Sequence, residues 1–321
     1  MIEQRSKAMK LILSRKGFDS VYGGKASPIF PDGAMVSIPI PVGKPTKSDP
    51  EISSLEFNNV NLGDLMIGLG ASKKIGKQRV KLTRESSVHK DPDIYPEFSN
   101  AGGEWKAAFG QCGGPQSHLA HQNVEEGDIF LFFGWFRQVQ QVGHGYKYRP
   151  DAPDIHALFG WLQVGEVVHL NDSARQAYPE KRKRLIERYP YLQQHPHVAS
   201  RDQPYPNNTL YVASDRLKVS GQHCVNLPGA GAFRHFHRRL QLTDSNGSSR
   251  KSWQLPAWFY PKDMRPALTY HGDPARWQER NGCAILKSVD IGQEFVLDTE
   301  YYPEAREWVV DLIRNATTKI F

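Results

Sequence analysis

Residues 127–137 read Gly-Asp-Ile-Phe-Leu-Phe-Phe-Gly-Trp-Phe-Arg, and residues 158–168 read Leu-Phe-Gly-Trp-Leu-Gln-Val-Gly-Glu-Val-Val. Each stretch is a short apolar and aromatic run of strand length, and Gly127-Asp128 is typical of a turn before the first. We therefore predict two core strands separated by a polar spacer. Two such strands could belong to any α+β protein, so this pattern accounts for part of the core and leaves the function open.

The order of these features resembles the small barrels of the PUA, ASCH and EVE group. The shared order is a Gly-Asp turn, a strand, a spacer and a second strand that contains glycine, and the segment concerned covers about residues 105–215. Such barrels often bind RNA or modified DNA bases. The resemblance therefore implies an embedded barrel segment and a nucleic-acid ligand.

The rest of the chain predicts a strand-rich mixed sheet of the α+β class. Strands and helices do not alternate regularly, which argues against a doubly wound sheet. Further strands are predicted at residues 9–13, 35–40, 210–213 and 294–298, and a polar, glycine-rich loop at residues 102–121.

Two helices are predicted in the second half of the chain. A basic helix is expected between Ser173 and Tyr191, with its true start at Pro179. The chain closes with an amphipathic helix from Pro303 to Arg314. Its apolar face consists of Ala305, Trp308, Val309, Leu312 and Ile313, which recur at helical spacing.

The composition is that of a folded protein with a mild basic bias. The 321 residues can bury the core of a single large domain, which we predict to cover residues 1–321. The formal net charge of +7 is compatible with a polyanionic partner. No apolar run of about 18 residues occurs, so no membrane span is expected.

The cysteines and the absence of several motifs bear on the cellular compartment and on the use of a nucleotide cofactor. Cys112, Cys224 and Cys283 lie far apart and no signal peptide is evident, which favours a reducing cytoplasm. The sequence contains no P-loop, dinucleotide-binding or kinase motif, so no nucleotide cofactor is expected.

Asp19 is the first candidate for a catalytic group. It follows the first predicted strand and lies among Arg15, Lys16 and Tyr22. A carboxylate near cations stays ionised at neutral pH, and it could activate water or stabilise an oxocarbenium-like transition state. The alternative is that Asp19 caps a turn or pairs with Arg15. Lys16 is the amine that a lyase mechanism would need.

Histidines form the next group of candidates. His118 and His121 are three residues apart and follow Gln111. On a helical turn the two imidazoles would share a face, where they could bind a phosphate or the edge of a base, or a metal ion, although no third ligand is obvious nearby. Ordinary structural hydrogen bonding is the alternative.

Other histidines alternate along the chain. His195-Pro-His197 and His235-Phe-His237 would each point to one face of a strand, and four imidazoles could bind a metal ion. His-x-Asp pairs typical of metal oxygenases occur at residues 89–91 and 271–273. Proline or glycine beside each pair indicates a turn, so metal-oxygenase chemistry is not expected and no metal ligand is assigned. Whether the four alternating histidines bind a metal ion stays open.

Two basic segments are candidates for contact with phosphates. Cations interleaved with aromatic residues suit a nucleic-acid surface, although a solvated basic face is the alternative. The residues concerned are Lys181, Arg182, Lys183, Arg234, His235, His237, Arg238 and Arg239.

Motifs spread over about residues 10–312 resemble the third nucleotide modification associated domain family. They include Leu11-Ile-Leu-Ser-Arg-Lys-Gly-Phe-Asp-Ser, Phe159-Gly-Trp-Leu-Gln-Val-Gly-Glu, Asn208-Thr-Leu-Tyr, Leu255-Pro-Ala-Trp-Phe and Gln293-Glu-Phe-Val-Leu-Asp. The resemblance implies a bacterial or phage protein that works on hypermodified DNA bases. The chain further resembles anti-phage DNA glycosylases, which implies excision of α-glucosylated hydroxymethylcytosine from phage DNA.

The residues and the resemblance together suggest a mechanism without a cofactor. The modified base flips into a pocket between the 102–121 loop and the first strand, where Asp19 acts on water or on the charge of the sugar. The candidate substrate-binding residues are Arg15, Tyr22, Gln111, His118, His121, Trp135, His195 and His197. A monofunctional enzyme is favoured over a lyase. The alternatives are a non-enzymatic reader of modified bases and a transferase that builds the modification.

Overall fold

A computed structural model describes residues 8–43, 45–46, 49–99, 105–171, 178–199, 205–219, 222–290 and 292–317. Within these ranges the chain folds into a strand-rich α+β structure. The helices are α1 (Leu62–Gly68), α2 (Gly113–His121), α3 (Tyr178–Arg188) and α4 (Glu304–Thr317). None of the helices in the described ranges is both long and apolar enough to cross a bilayer.

The strands vary from short bridging pieces to two long central ones. In chain order they are β1 (Lys10–Arg15), β2 (Ser27–Ile29), β3 (Ile40–Pro41), β4 (Glu56–Phe57), β5 (Val60–Asn61), β6 (Ser72–Ile75), β7 (Gln78–Lys81), β8 (Val88–His89), β9 (Ala108–Gln111), β10 (Ile129–Val142), β11 (Gly145–Tyr148), β12 (Ile155–Asn171), β13 (Asn208–Ala213), β14 (Arg216–Val219), β15 (Gln222–Pro228), β16 (Ala230–Ala232), β17 (Ser252–Pro256), β18 (Trp277–Arg280), β19 (Cys283–Lys287) and β20 (Glu294–Asp298).

A large mixed sheet organises the molecule. Its strand order is β20-β1-β10-β12-β13-β9, with β2 and β11 paired to β10 and β16 paired to β12. β1 runs parallel to β10, whereas β20 pairs antiparallel with β1 and β12 pairs antiparallel with β10. The two aromatic runs form β10 and β12, which are the predicted pair of core strands. Successive residues in the first half of β10 are buried, as expected for a strand covered on both faces.

The sheet path is open among the described residues. β9, β10, β12 and β13 are neighbours in the order β10-β12-β13-β9, and they do not close into a barrel there. The embedded PUA/EVE-like barrel therefore stays a prediction.

Several predicted elements are confirmed. The strands at 9–13, 210–213 and 294–298 correspond to β1, β13 and β20. The basic helix is α3, which begins beside Pro179, although residues 173–177 of the predicted span lie outside the described part. The closing helix is α4, and Ala305, Val309, Leu312 and Ile313 of its apolar face are buried in the core.

Two predicted elements are wrong. Residues 35–40 form only isolated bridges and the start of β3, because Ser37 and Ile38 donate their N–H groups to the Tyr95 hydroxyl and to Ser27 Oγ instead of a neighbouring strand. The predicted loop at 102–121 contains β9 and α2, and its residues 102–104 lie outside the described part. Burial of Phe109 against the rings of Phe130 and Phe132 draws this segment into the sheet.

Candidate functional site

A cleft of about 280 Å³ opens where β1 ends and the chain turns at Lys16. Five of the residues singled out from the sequence line it, namely Arg15, Lys16, Asp19, Tyr22 and Gln111. His89 and Asp91 line it as well. The cleft therefore gathers cations, carboxylates and an aromatic ring at one edge of the sheet.

Asp19 is fixed by the turn that follows β1. Its Oδ1 accepts hydrogen bonds from the backbone N–H groups of Val21, at 2.7 Å, and Tyr22, at 2.6 Å. Asp19 therefore caps a turn, which was the alternative to a catalytic role in the sequence analysis. It also lines the cleft. The turn holds the carboxylate in one orientation and leaves the Tyr22 side chain 46 % exposed.

Arg15 forms one wall of the cleft. Its Nη1 and Nη2 atoms donate to the carbonyl oxygens of Asp290 and Val289, each at 3.0 Å. Burial lowers the pKa of the Arg15 guanidinium, and the nearby charges of Asp19 and Asp290 oppose this shift. The two carbonyls hold the guanidinium plane against the segment that precedes β20.

Next to Arg15 in the chain, Lys16 belongs to a buried network with Glu294 and Gln111. Lys16 Nζ is 2.6 Å from Oε1 of Glu294, the first residue of β20, and the Lys16 and Glu294 side chains are only 10 % and 1 % exposed. Gln111 Nε2 donates to the same oxygen at 2.5 Å, and Gln111 Oε1 accepts the N–H of Cys112. Lys16 Nζ also lies 4.7 Å from the centroid of the Phe109 ring. Lys16 and Gln111 are therefore held in place by the fold.

A cluster of histidines around Asp91 forms the inner part of the site. His89 Nε2 and His197 Nε2 lie 3.9 and 3.7 Å from Asp91 Oδ2, and His195 Nε2 lies 3.3 Å from Asp91 Oδ1. The Gly110 N–H donates to Asp91 Oδ1 at 2.9 Å. The ligand atoms of His89, Asp91 and His197 are close enough together to hold a metal ion.

Burial determines the protonation of this cluster. It raises the pKa of Asp91, while His197 and His89 act in the opposite direction. Burial also lowers the pKa of His195 to about 4 and that of His197 to about 3. The imidazoles of His195 and His197 are therefore neutral near pH 7, and each keeps one ring nitrogen with a lone pair.

The fold brings these residues together from two distant regions of the sequence, 89–91 and 195–197. His89 ends β8, while His195 and His197 follow a short 3-10 helix over Pro190–Gln194. This segment packs on the β9–β13 edge through a small apolar cluster of Ala108, Leu170, Tyr178, Leu185, Leu192, Val198, Leu210 and Val212. The sequence showed each His-x-Asp and His-x-His pair, but the neighbouring proline of residues 89–91 suggested only a turn.

Other predicted substrate contacts lie outside the cleft lining. His118, on α2, has Nε2 3.1 Å from Thr269 Oγ1 and its ring 4.6 Å from the Tyr270 ring. Burial lowers the pKa of His118. His121 is exposed at the end of α2.

Trp135 is likewise absent from the cleft lining. Its Nε1 donates to Asp154 at 2.8 Å, and the Arg250 guanidinium lies 4.2 Å above its ring. Asp154 and Arg250 line a second, polar pocket of about 620 Å³ that shares Asp290 with the cleft.

The two predicted basic segments pack on different elements. Lys181, Arg182 and Lys183 lie on α3, where Arg182 donates to the carbonyl of Val198. Arg234 forms a bidentate pair with Glu97, with both distances 2.7 Å. The remaining candidates of this segment are His235 and His237, and the backbone of His235 forms a β-bridge with Ala34. Arg238 and Arg239 are exposed and line a pocket beside α4.

A third basic segment was not identified from the sequence. The β6–β7 hairpin carries Lys73, Lys74, Lys77, Arg79 and Lys81 and no acidic residue. The pairing places Lys74 opposite Arg79 and Ser72 opposite Lys81, so Lys74, Arg79 and Lys81 share one face. Arg79 donates to the carbonyl of Ser20, which attaches the hairpin to the Asp19 turn.

Comparison with known proteins gives one result. A family model described as nucleotide modification associated domain 3 matches residues 10–298. No curated protein and no solved structure matches the chain. The matched region contains every residue of the cleft and of the Asp91 cluster.

Proposed function

Because the chain belongs to the nucleotide modification associated domain 3 family, we propose that it is a DNA glycosylase that removes a hypermodified cytosine. The observation that carries this proposal is the cleft that holds Arg15, Asp19 and Tyr22 together beside a basic hairpin. The family supports a role in DNA base modification. The proposed substrate is α-glucosylated hydroxymethylcytosine in phage DNA, and the proposed setting is the cytoplasm.

The size of the cleft suits a flipped base. Its volume of about 280 Å³ lies just below the range of about 300–1,000 Å³ that is typical of small-molecule sites. Enzymes that act on a base take it out of the stack and hold it between apolar or aromatic side chains. Tyr22 lines the cleft with 46 % of its surface exposed, so its ring is available for stacking.

The hairpin supplies the phosphate contacts of this proposal. Lys74 and Lys81 are exposed on the face from which Arg79 reaches the Asp19 turn. Two-stranded ribbons can enter DNA grooves, and cations on them displace condensed counterions. DNA docked on this face would present a nucleotide to the adjoining cleft.

The chemistry is hydrolysis of the bond between the sugar C1′ and the base nitrogen. The base leaves with the bonding electron pair, and water bonds to C1′ through its oxygen while it passes a proton to the Asp19 carboxylate. The released base then takes up a proton from solvent and Asp19 returns its proton to solvent, which restores the carboxylate. The Arg15 guanidinium faces the negative charge that gathers on the leaving base. Lys16 Nζ is held by Glu294, which favours a monofunctional enzyme over an amine-dependent lyase.

The neighbouring polar pocket suits the glucosyl group. It is lined by hydroxyl, amide and charged side chains, including Thr243, Ser249 and Arg250, and it meets the cleft at Asp290. We propose that the sugar substituent of a base in the cleft points toward this pocket, because the two spaces share Asp290 as a lining residue. Trp135 supports the wall through Asp154 and Arg250.

The test compares DNA that carries glucosylated hydroxymethylcytosine with plain DNA, without added cofactor. Abasic sites are scored by alkaline cleavage and the released base by mass spectrometry. We expect release only from modified DNA. We expect Asp19→Asn to lower the rate by about 100-fold or more while DNA binding is retained.

Asp273→Asn is the matched control, because Asp273 also caps a turn through a backbone N–H but does not line the cleft. Its rate should equal that of the wild type. Tight binding of modified DNA without base release would support a reader and contradict the proposal. Release that requires a glycosyl donor would instead support a transferase.

A further inference from the structure

We propose that His89, Asp91 and His197 form a binding site for one divalent transition-metal ion at the inner wall of the cleft. This assignment goes beyond base excision and does not depend on it. His89 Nε2 and His197 Nε2 both point at Asp91 Oδ2, at 3.9 and 3.7 Å. The three ligand atoms lie within 4.8 Å of one another.

The spacing matches a metal site in a slightly expanded state. Ligands on a tetrahedral ion with bonds of about 2.1 Å are separated by about 3.4 Å. The two separations at Asp91, 3.7 and 3.9 Å, exceed this value by a few tenths of an ångström, and the third separation lies within 4.8 Å. Small rotations of the imidazoles would close the difference.

The tautomer of His197 is fixed by Asn208. Asn208 Nδ2 donates to the backbone carbonyl of His197 at 2.8 Å, so Asn208 Oδ1 is the atom that faces His197 Nδ1 at 2.7 Å. Nδ1 must therefore carry the proton, and Nε2 presents a lone pair to Asp91. A ring nitrogen that donates to an amide oxygen, with the other nitrogen free to bind, is the arrangement seen in metal-ligating histidines.

His197 Nε2 and Asp91 Oδ2 are therefore two electron-pair donors that face each other in the protein interior. Asp91 and His197 are each only about 5 % exposed as side chains. A carboxylate oxygen and an imidazole lone pair repel each other, and a cation between them converts this repulsion into two bonds. His195 adds a buried Nε2 that has no hydrogen-bond partner in the described structure and lies near the other Asp91 oxygen.

The surrounding backbone is built to hold this arrangement. The Gly110 N–H orients Asp91 through Oδ1 at 2.9 Å. A Cβ atom at Gly110 would lie 2.2 Å from Cγ of His197, so only glycine leaves room for the ring. The Tyr205 ring covers His197, with 4.9 Å between the centroids.

The ligand set selects the class of ion. Two imidazoles and one carboxylate favour zinc or iron(II) over magnesium and calcium, which prefer oxygen ligands. Three protein ligands leave at least one coordination position open. Because His89 and Asp91 line the cleft, that position faces the space proposed for the nucleotide.

The test measures metal binding by the full chain without DNA. After treatment with EDTA and dialysis, Zn²⁺ is titrated in one experiment and Fe²⁺, under anaerobic conditions, in another. We expect one equivalent of one of these ions to bind, with a rise in melting temperature on saturation. His197→Gln should abolish this binding, and Asn208→Ala should weaken it by about 10- to 100-fold.

His271→Gln is the matched control, because His271 is a buried histidine whose two ring nitrogens are used by Thr269 and Val289. It should bind the ion as tightly as the wild type. If His197→Gln fails to fold, the titration of the wild type and the change in its melting temperature still show whether a metal ion binds. No uptake of either ion by the wild type, or unchanged affinity in a folded His197→Gln, would overturn the metal site and leave the base-release assay unaffected.

Discussion

Lys16 Nζ lies 2.6 Å from Glu294 Oε1, and this buried ion pair joins the end of β1 to the start of β20. The two strands are antiparallel neighbours, with Ser14 opposite Glu294. Gln111 donates to the same carboxylate oxygen, so the network also includes the end of β9. The floor of the cleft is therefore held by one carboxylate that three strands share.

Glu294→Gln is expected to destabilise the protein by about 3–5 kcal/mol. The substitution leaves the Lys16 ammonium buried without its counter-charge, which costs more than the pair itself contributes. The free energy of unfolding from urea denaturation measures this change. Lys16→Met combined with Glu294→Gln should cost less than the sum of the two single changes.

The exposed pair of Lys262 and Glu279 provides the comparison. Its atoms lie 2.7 Å apart, but both side chains are about half exposed, at 49 and 50 %. Glu279→Gln should therefore cost less than about 1 kcal/mol. Equal losses for Glu294→Gln and Glu279→Gln would contradict the importance of burial in the first pair.

The β6–β7 hairpin gives a prediction about DNA affinity. Lys74→Ala and Lys81→Ala should weaken binding to modified and plain DNA alike, because contacts to phosphates carry no sequence information. Each lost phosphate contact should reduce the slope of log K against log salt by about 0.9. Fluorescence anisotropy at several salt concentrations measures both quantities.

Lys287→Ala removes the same charge from an exposed strand end and serves as the control. It should leave the salt slope unchanged. The same slope for Lys74→Ala, Lys287→Ala and the wild type would show that the hairpin does not contact the phosphates. The basic residues of α3 and of residues 234–239 would then be the next candidates.

Local sequence patterns were sufficient to predict those elements whose structure depends mainly on their own residues. The apolar runs of β1 and β20 and the amphipathic α4 need only their own residues to be recognised. The group from Arg15 to Tyr22 is also local, because these residues follow one strand and lie within one turn. For this reason four of the five predicted residues in the cleft lie together there, whereas the fifth, Gln111, is brought in by β9.

Contacts between distant segments were not predictable in the same way. His89 and His197 meet because β9 pairs with β13 and the segment after α3 folds over that edge. No spacing rule connects these two positions in a single sequence. The glycines of residues 102–121 likewise suggested a loop, whereas Gly110 lies in β9 to make room for His197.

Gly110→Ala tests this close approach. The added Cβ would lie 2.2 Å from His197 Cγ, so the ring must shift from its present position beside Asp91. We expect a loss of about 1–3 kcal/mol in stability from overpacking and weaker binding of Zn²⁺ or Fe²⁺. Gly114→Ala is the control, since a Cβ there meets nothing within 4 Å. Unchanged metal affinity in Gly110→Ala would show that His197 is not held by this contact.

His271 makes stability depend on pH near the Arg15 wall. Its Nδ1 lies 2.9 Å from the Thr269 carbonyl, and its Nε2 accepts the N–H of Val289, whose carbonyl holds Arg15. Burial lowers the pKa of His271 from 6.5 to about 4. The folded state therefore binds this proton less tightly than the unfolded state. The stabilising contribution is complete above pH 6.5 and is lost as the pH falls through about 4.

The contribution of His271 corresponds to about 3 kcal/mol between pH 7 and pH 4. Glutamine can replace one donor and one acceptor of the ring but does not titrate. We therefore expect His271→Gln to lose less stability than the wild type over this range, as measured by urea denaturation at both pH values. Other buried histidines, such as His156, titrate in both proteins, so the difference between the two curves isolates His271. Parallel curves would mean that protonation of His271 does not contribute to acid unfolding.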